Sequence, residues 1–291
     1  MEQRDQPRKQ SKPHPQGQGH GQGHGQGHGQ GHGQGARTEH RPRQDSQRDR
    51  RPSAGKASGL WLYGLHPVEA ALVNPSRRLR RLVLTEEGEA ALVARLPKPW
   101  AIPGERIERD KLDAMLGRGV VHQGIAVQTD PLANPSLADA LKRPGPVLVL
   151  DQITDPRNVG AIMRSAQAFG AALVIAQERN APEEGGALAK AASGALERIP
   201  LLRTINIARA LIALKAADLW VMGLDAGGAT RLSGAALGGR RAALVLGAEG
   251  EGLRRLTRET CDELVSLAMP GGMESLNVSA AAAVALYEII R

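Results

Sequence analysis

From residue 147 onward the apolar positions fall into short unbroken runs separated by stretches of helical spacing. Val147-Leu-Val-Leu150 and Ala242-Ala-Leu-Val-Leu246 contain no polar position, the pattern of strands buried on both faces of a sheet. Between them the pattern predicts a helix reaching through Arg164 to Phe169, a strand over 172–176, a helix over 186–192, a strand over 199–202, a helix over 207–217 and a strand over 219–224. After residue 246 come a helix from Leu253, holding Cys261 in its middle, a strand over 264–268 and a closing helix that ends at Arg291. This alternation implies an α/β fold: a mostly parallel sheet with helices on both faces and ligands at the carboxyl ends of its strands.

Upstream, Leu60-Trp-Leu-Tyr63 reads as a short strand, Gly64 as a turn and Pro67 as part of a helix's first turn. A strand over 79–85, helices over 89–96 and 109–116, and a strand over 124–128 complete a small α/β domain. Four prolines within 131–146 mark a linker with one helical turn. The chain thus divides into a tail (1–58), a small domain (59–130), a linker (131–146) and a larger domain (147–291). The tail is Gly, Gln, His, Pro and Arg, with His20, His24, His28 and His32 in a Gly-Gln-Gly-His repeat. It has almost nothing apolar to bury and is expected to be disordered. Glycines between the histidines leave no preorganised metal site.

Charge sharpens this division. The formal net charge is +8, but residues 1–58 hold 11 basic and five acidic side chains, leaving 27 against 25 for the other 233 residues. A polyanionic partner must therefore meet a local patch on the folded part. Arg77, Arg78, Arg80 and Arg81 are its densest basic cluster, readable as such a patch or as a charged, guarded strand edge. A single cysteine excludes an internal disulfide and a multi-cysteine metal site, and suits a reducing compartment. The N-terminus lacks an apolar leader and no run reaches the ~18 apolar residues of a membrane helix, so the expected location is cytoplasmic, with no membrane partner. Only six aromatic residues are present, so base stacking is scarce and recognition of a nucleic acid should lean on phosphate and 2′-OH contacts.

Candidate chemistry is narrowed by what is missing. All eight histidines lie at or before His122, so the larger domain has none, and its only thiol is Cys261. Ser-His-Asp hydrolysis, a Cys-His nucleophile and a histidine zinc site are excluded there. What remains is Asn, Arg, Glu, Ser and backbone groups, a set suited to a substrate that arrives already activated. Polar loops follow Asp151, Leu246 and Ala268, three predicted strand ends. Gly247-Ala-Glu-Gly-Glu-Gly252 lets backbone amides approach a ligand, but it is neither Gly-x-Gly-x-x-Gly nor a P-loop, and alone it is as readily a structural turn. Asn158 reads as a helix cap or a ligand group. Arg164 reads as a surface charge or, between Met163 and Ser165-Ala-Gln-Ala-Phe-Gly170, as a partly shielded cation that prefers a carboxylate or phosphate. Ser275, Asn277 and Ser279 stand on a glycine turn ahead of an apolar helix.

Taken together, Asp155-Pro-Arg-Asn-Val-Gly-Ala-Ile-Met-Arg-Ser-Ala-Gln-Ala-Phe-Gly170, Leu246-Gly-Ala-Glu-Gly-Glu-Gly-Leu253 and Met269-Pro-Gly-Gly-Met-Glu-Ser-Leu-Asn-Val-Ser-Ala280 resemble the three ordered motifs of the SpoU (TrmH) class of RNA 2′-O-ribose methyltransferases. The resemblance covers essentially all of 147–291. Ala192-Ser-Gly-Ala-Leu-Glu197 and His122-Gln-Gly-Ile-Ala126 further resemble the branch that modifies a guanosine of 23S ribosomal RNA, in which residues 60–130 match a substrate-binding domain similar to ribosomal protein L30e.

The resemblance implies a SPOUT-like trefoil knot near the second and third motifs, S-adenosylmethionine as cofactor with no metal, and a homodimer with the site at its interface. It implies cofactor contacts from Leu246, Gly247, Glu249, Gly250, Leu267, Met269, Ser275, Leu276 and Asn277, and a catalytic polar set of Asn158, Arg164, Glu249, Ser275 and Asn277. The Ala280–283 segment is expected to pack closely on the second subunit. One departure is Leu267-Ala-Met269 followed by Pro270, where the class usually has Ile-Pro-Met. The implied substrate is a guanosine of 23S rRNA of the peptidyl-transferase P-loop type. A tRNA 2′-O-methyltransferase and a catalytically silent RNA-binding assembly factor are the alternatives, the intact polar set speaking against the second. A Rossmann oxidoreductase would need a glycine-rich turn where Asp155-Pro-Arg-Asn stands.

Overall fold

The computed structural model describes residues 59–291, so the expected disordered tail of 1–58, with its histidine repeat, lies outside the described residues. The small lobe runs β1 (Leu60–Tyr63), α1 (Leu65–Val73), β2 (Leu79–Leu84), α2 (Glu86–Val93), β3 (Gly104–Arg106), α3 (Arg109–Leu116) and β4 (Ile125–Thr129). Its sheet has the order β1-β4-β2-β3, with β4 antiparallel to both neighbours and β3 parallel to β2. Two details differ from the sequence pattern. β3 is Gly-Glu-Arg, exposed throughout, and has no apolar alternation to announce it. Thr85 caps α2, its hydroxyl accepting from the Gly88 amide, and so starts that helix at Glu86 rather than Glu89.

The basic cluster beside β2 is not a free patch. Arg77 is buried, Arg78 and Arg80 both face Asp130, and Arg81 makes two 2.8 Å bonds to the Glu105 carboxylate. Nor do they guard a strand edge: β2 is paired on both sides, to β4 and to β3, and it is their carboxylate partners that account for these side chains.

Residues 131–146 contain the expected single helical turn, α4 (Leu137–Ala140), but they form a strap rather than a loose tether. Arg241 donates to the carbonyls of Leu141, Arg143 and Gly145 at 2.9, 2.6 and 2.7 Å. The Asn134 side-chain amide pairs with the Arg203 backbone in both directions, at 2.9 and 2.8 Å.

The large lobe follows as β5 (Val147–Leu150), α5 (Pro156–Ala168), β6 (Leu173–Gln177), α6 (Gly186–Ala192), β7 (Leu201–Thr204), α7 (Ile207–Ala216), β8 (Leu219–Leu224), β9 (Thr230–Arg231), β10 (Arg241–Leu246), α8 (Arg255–Thr260), β11 (Glu263–Ser266) and α9 (Val278–Ile290). Its seven strands are all parallel, in the order β7-β6-β5-β10-β8-β11-β9. The two unbroken apolar runs become the central neighbours β5 and β10, with Leu150 level with Leu246. Every residue of Val147–Leu150 is buried, each such side chain stabilising the fold by about 1.5–3 kcal/mol. Strand order reverses between β5 and β10, which opens a crevice at their carboxyl ends.

Three boundaries moved. β7 begins after Pro200, which has no amide to give the ladder. Arg254 is turned onto Asp151, so α8 begins at Arg255 and ends at Thr260. Cys261 is therefore just past a helix, not within one; its thiol donates to the Thr257 carbonyl, and burial pushes it up to about 11. β11 ends at Ser266 because the next carbonyl, that of Leu267, accepts from Arg231 at 2.6 Å. Residues 59–291 lie within one compact unit. Among the described residues no helix is long and apolar enough to cross a membrane.

Candidate active site

The loops after β5, β10 and β11 meet at the carboxyl edge of the large sheet. Asp151, fully buried at the end of β5, fastens the first loop to the second. Its carboxylate accepts from the Arg254 amide at 3.1 Å and from Arg254 Nε at 2.7 Å, while its own amide donates to the Leu246 carbonyl at 2.8 Å. The loop between is closed on itself, Ala248 and Gly252 exchanging backbone bonds of 3.2 and 2.9 Å. A Cβ on Gly247 would stand 2.2 Å from the Gly252 carbonyl carbon and 2.5 Å from the Leu253 nitrogen. Gly250 sits at φ +85°, in the left-handed region.

Two helix starts bring in the remaining groups. Asp155 caps α5 by accepting from the Arg157 amide at 2.8 Å, and Pro156 supplies the first helical residue, which places Asn158 in the first turn. Asn277 caps α9 through Oδ1, which accepts from the amides of Ser279 at 2.9 Å and Ala280 at 3.4 Å. Its other end reaches across the loops: Asn277 Nδ2 donates to Glu249 Oε1 at 2.8 Å and to Asn158 Oδ1 at 3.1 Å. Asn158 Nδ2 donates to the same Glu249 oxygen at 3.1 Å, and the Val278 amide adds a third bond at 3.3 Å. One carboxylate oxygen thus ties all three loops together. Such charge-assisted bonds are stronger than neutral ones.

Beside this cluster lies a cavity of about 660 Å³. Leu246, Gly247, Glu249, Gly250, Leu267, Met269, Ser275, Leu276 and Asn277, the nine residues the resemblance assigned to a cofactor, all line it. Ser275 is exposed there. Arg164 is not among the lining residues. It is exposed on α5 rather than partly shielded, and it makes no hydrogen bond or ion pair among the described residues. Six residues along a helix place it roughly 9 Å further on and about 120° round from Asn158.

Sequence reasoning missed the wall supplied by β8. Leu224, Asp225 and Ala226 line the cavity because β8 lies between β10 and β11 in the sheet. The Asp225 carboxylate pairs with Arg258 and accepts from the Gly227 amide at 2.9 Å. No local motif marks these residues; only strand order reveals them. The lining carries Asp225, Glu249, Glu251 and Glu274 against Arg258, an acidic excess. Among the described residues no three His, Cys, Asp or Glu side chains are grouped to hold a metal.

Comparison with known proteins places these elements. The profile of the SpoU rRNA Methylase family matches residues 145–287, and that of RNA 2′-O ribose methyltransferase substrate binding matches residues 61–135. The chain is 37% identical over 241 residues to the 23S rRNA (guanosine-2′-O-)-methyltransferase RlmB of Escherichia coli strain K12, covering 79% of this chain and 97% of that relative. It is 36% identical over 239 residues to the RlmB of Xylella fastidiosa strain Temecula1, covering 79% and 96%. In fold it is similar to the SpoU methyltransferase AviRb of Streptomyces viridochromogenes, solved in complex with AdoMet, with a TM-score of 0.67, 23% identity and coverage of 80% of this chain and 90% of that one.

Proposed function

The chain belongs to the SpoU rRNA Methylase family, and from that premise we propose that it transfers a methyl group from S-adenosylmethionine to the ribose 2′-oxygen of a guanosine in 23S rRNA. The observation that carries this beyond family membership is the Asn158–Glu249–Asn277 cluster, set against a cavity lined by all nine residues assigned to the cofactor. The cavity suits that cofactor. Leu224, Leu246, Leu267 and Leu276 give apolar walls, the glycine loop gives backbone, and the acidic excess matches a cationic ligand. When bound, S-adenosylmethionine supplies a methyl already activated on a sulfonium, so no protein nucleophile is required.

The chain's own residues then have defined tasks. Glu249 holds the three loops in one arrangement, and Asn277 couples that arrangement to the start of α9. Arg164 grips the phosphate beside the target ribose and opposes the negative charge that develops on the 2′-oxygen. A guanidinium is a donor with no acceptor site, so its task is to bind charge and not to remove the proton. Residues 147–291 form the catalytic domain, knotted as a trefoil near the second and third loops. Residues 59–130 form an L30e-like RNA-binding domain, a role supported by the substrate-binding match over 61–135. The protein works in the cytoplasm as a homodimer. Two features support the dimer: Arg164 stands free of its own subunit's cavity, and α9 exposes Val284, Tyr287 and Ile290. Of the Ala280–283 segment, Ala281 and Ala282 turn instead into the subunit's own core.

Mapping ribose methylation in rRNA and tRNA from cells lacking the gene tests the proposal. Loss of one 23S guanosine mark supports it, loss of a tRNA mark replaces it with tRNA methylation, and no loss leaves a silent RNA-binding factor. A second expected result concerns Glu249. Glu249→Ala removes the shared acceptor of three N–H groups and should raise the cofactor Kd by at least about tenfold, or 1.4 kcal/mol. Because the cluster is largely exposed, Tm should move by only a few degrees. Calorimetric titration giving an unchanged Kd would remove Glu249 from the cofactor site.

A further inference from the structure

Arg77 is the one Lys or Arg that is buried among the described residues, and it belongs to the small lobe while its two carboxylate partners belong to the large one. Its Nε donates to both oxygens of Glu197 at 3.1 Å and its Nη2 to Glu197 Oε1 at 2.7 Å. Its Nη1 donates to Glu184 Oε2 at 3.2 Å and to the Asp130 carbonyl at 2.9 Å. Asn74, three residues earlier in the same turn between α1 and β2, donates to Glu197 Oε2 at 2.7 Å, and the Leu132 amide completes Glu184 at 3.1 Å.

The lobes also share an apolar cluster, Val68 and Ala71 of α1 lying in it with Ala192 and Leu196, and other contacts cross between them. Lys190 on α6 donates to the Val121 carbonyl at 2.5 Å. Gly186, at the start of α6, packs so tightly on β1 that a Cβ would fall 1.9 Å from the Tyr63 ring. Glu197 closes a 3-10 turn, Ala195–Glu197, that packs on α5, the helix carrying Asn158 and Arg164. α6 packs on α5 as well, at Gly160, where a Cβ would meet the Leu188 carbonyl at 2.5 Å.

A buried ion pair is a weak source of stability beside an apolar contact of equal size. What a forked guanidinium adds is direction, since several bonds must keep their lengths at once. We propose that Arg77 is a positioning residue for methyl transfer: it fixes the angle between the small lobe and α5, so that RNA held by the small lobe presents its ribose in register with Arg164 and the cavity. This rests on the methyltransferase reading of the site.

Displacement of a bound substrate by an ångström costs about a hundredfold in rate. Arg77→Met should therefore lower kcat on a 23S rRNA fragment about ten- to a hundredfold. The Kd for S-adenosylmethionine and the Kd for RNA should change less than about threefold, and small-angle scattering should show a changed profile as the angle between the lobes relaxes about their shared apolar core. Arg77→Lys and Glu184→Gln, which retain a hydrogen-bonding group and are less disruptive to folding, should show the same split in milder form. An unchanged kcat in all three variants would overturn the proposal. So would a loss of cofactor affinity in step with kcat, which would make Arg77 merely structural. If the wild-type protein transfers no methyl, the reading of the site fails instead, and scattering still reports whether Arg77 fixes the angle between the lobes.

Discussion

Arg164→Ala is expected to lower kcat for methyl transfer by about 10²–10³ while leaving the cofactor Kd and Tm unchanged. The size follows from removing a cation that opposes charge developing on the 2′-oxygen. The selectivity follows from its setting: the side chain is exposed, unpaired among the described residues and absent from the cavity wall, so nothing in the fold depends on it. Arg164→Lys keeps the charge but not the planar fork, and should recover only a small part of the rate. Full activity of the lysine variant would remove the bidentate phosphate role.

Gly247→Ala should have a comparable effect by the opposite route. The atoms that its Cβ would meet at 2.2–2.5 Å are backbone atoms of Gly252 and Leu253, which cannot rotate away. The loop must open, and with it the Ala248–Gly252 bonds and the reach of Glu249 toward Asn158 and Asn277. The expected result is a cofactor Kd raised by more than about tenfold and activity lost in proportion, with the rest of the large lobe still folded. The two variants also test the dimer. If Arg164 serves the partner's cavity, co-expressing Arg164→Ala with Gly247→Ala rebuilds one intact site in each mixed dimer and restores about a quarter of wild-type activity. If Arg164 serves its own cavity, the mixture stays inactive.

The parallel sheet was legible because its central strands are buried on both faces and read as the short unbroken apolar runs Val147-Leu-Val-Leu150 and Ala242-Ala-Leu-Val-Leu246, too short for a buried helix. Asn158, Glu249 and Asn277 were legible as members of ordered motifs, but their convergence on one carboxylate oxygen is a product of folding, bringing together positions 91 and 28 residues apart. Asp225 was not legible: it follows β8 with no motif, and it reaches the cavity only because β8 is seated between β10 and β11. Nor could the sequence separate Arg77 from Arg78, Arg80 and Arg81. Its carboxylate partners lie 107 and 120 positions away, and burial depends on the approach of a second lobe. The sequence left Arg164 open between a surface charge and a partly shielded cation; it is exposed because its apolar neighbours Met163 and Ile162 turn inward on the other face of α5.

The most direct test is transfer of a labelled methyl group from S-adenosylmethionine to protein-free 23S rRNA by the purified protein, with nuclease digestion and mass spectrometry to place the label. The expected product is 2′-O-methylguanosine at a single position, formed at least about a hundredfold more slowly when Arg164→Ala is used. Label on a base, or no label although the protein binds both cofactor and RNA, would contradict ribose methylation by this site.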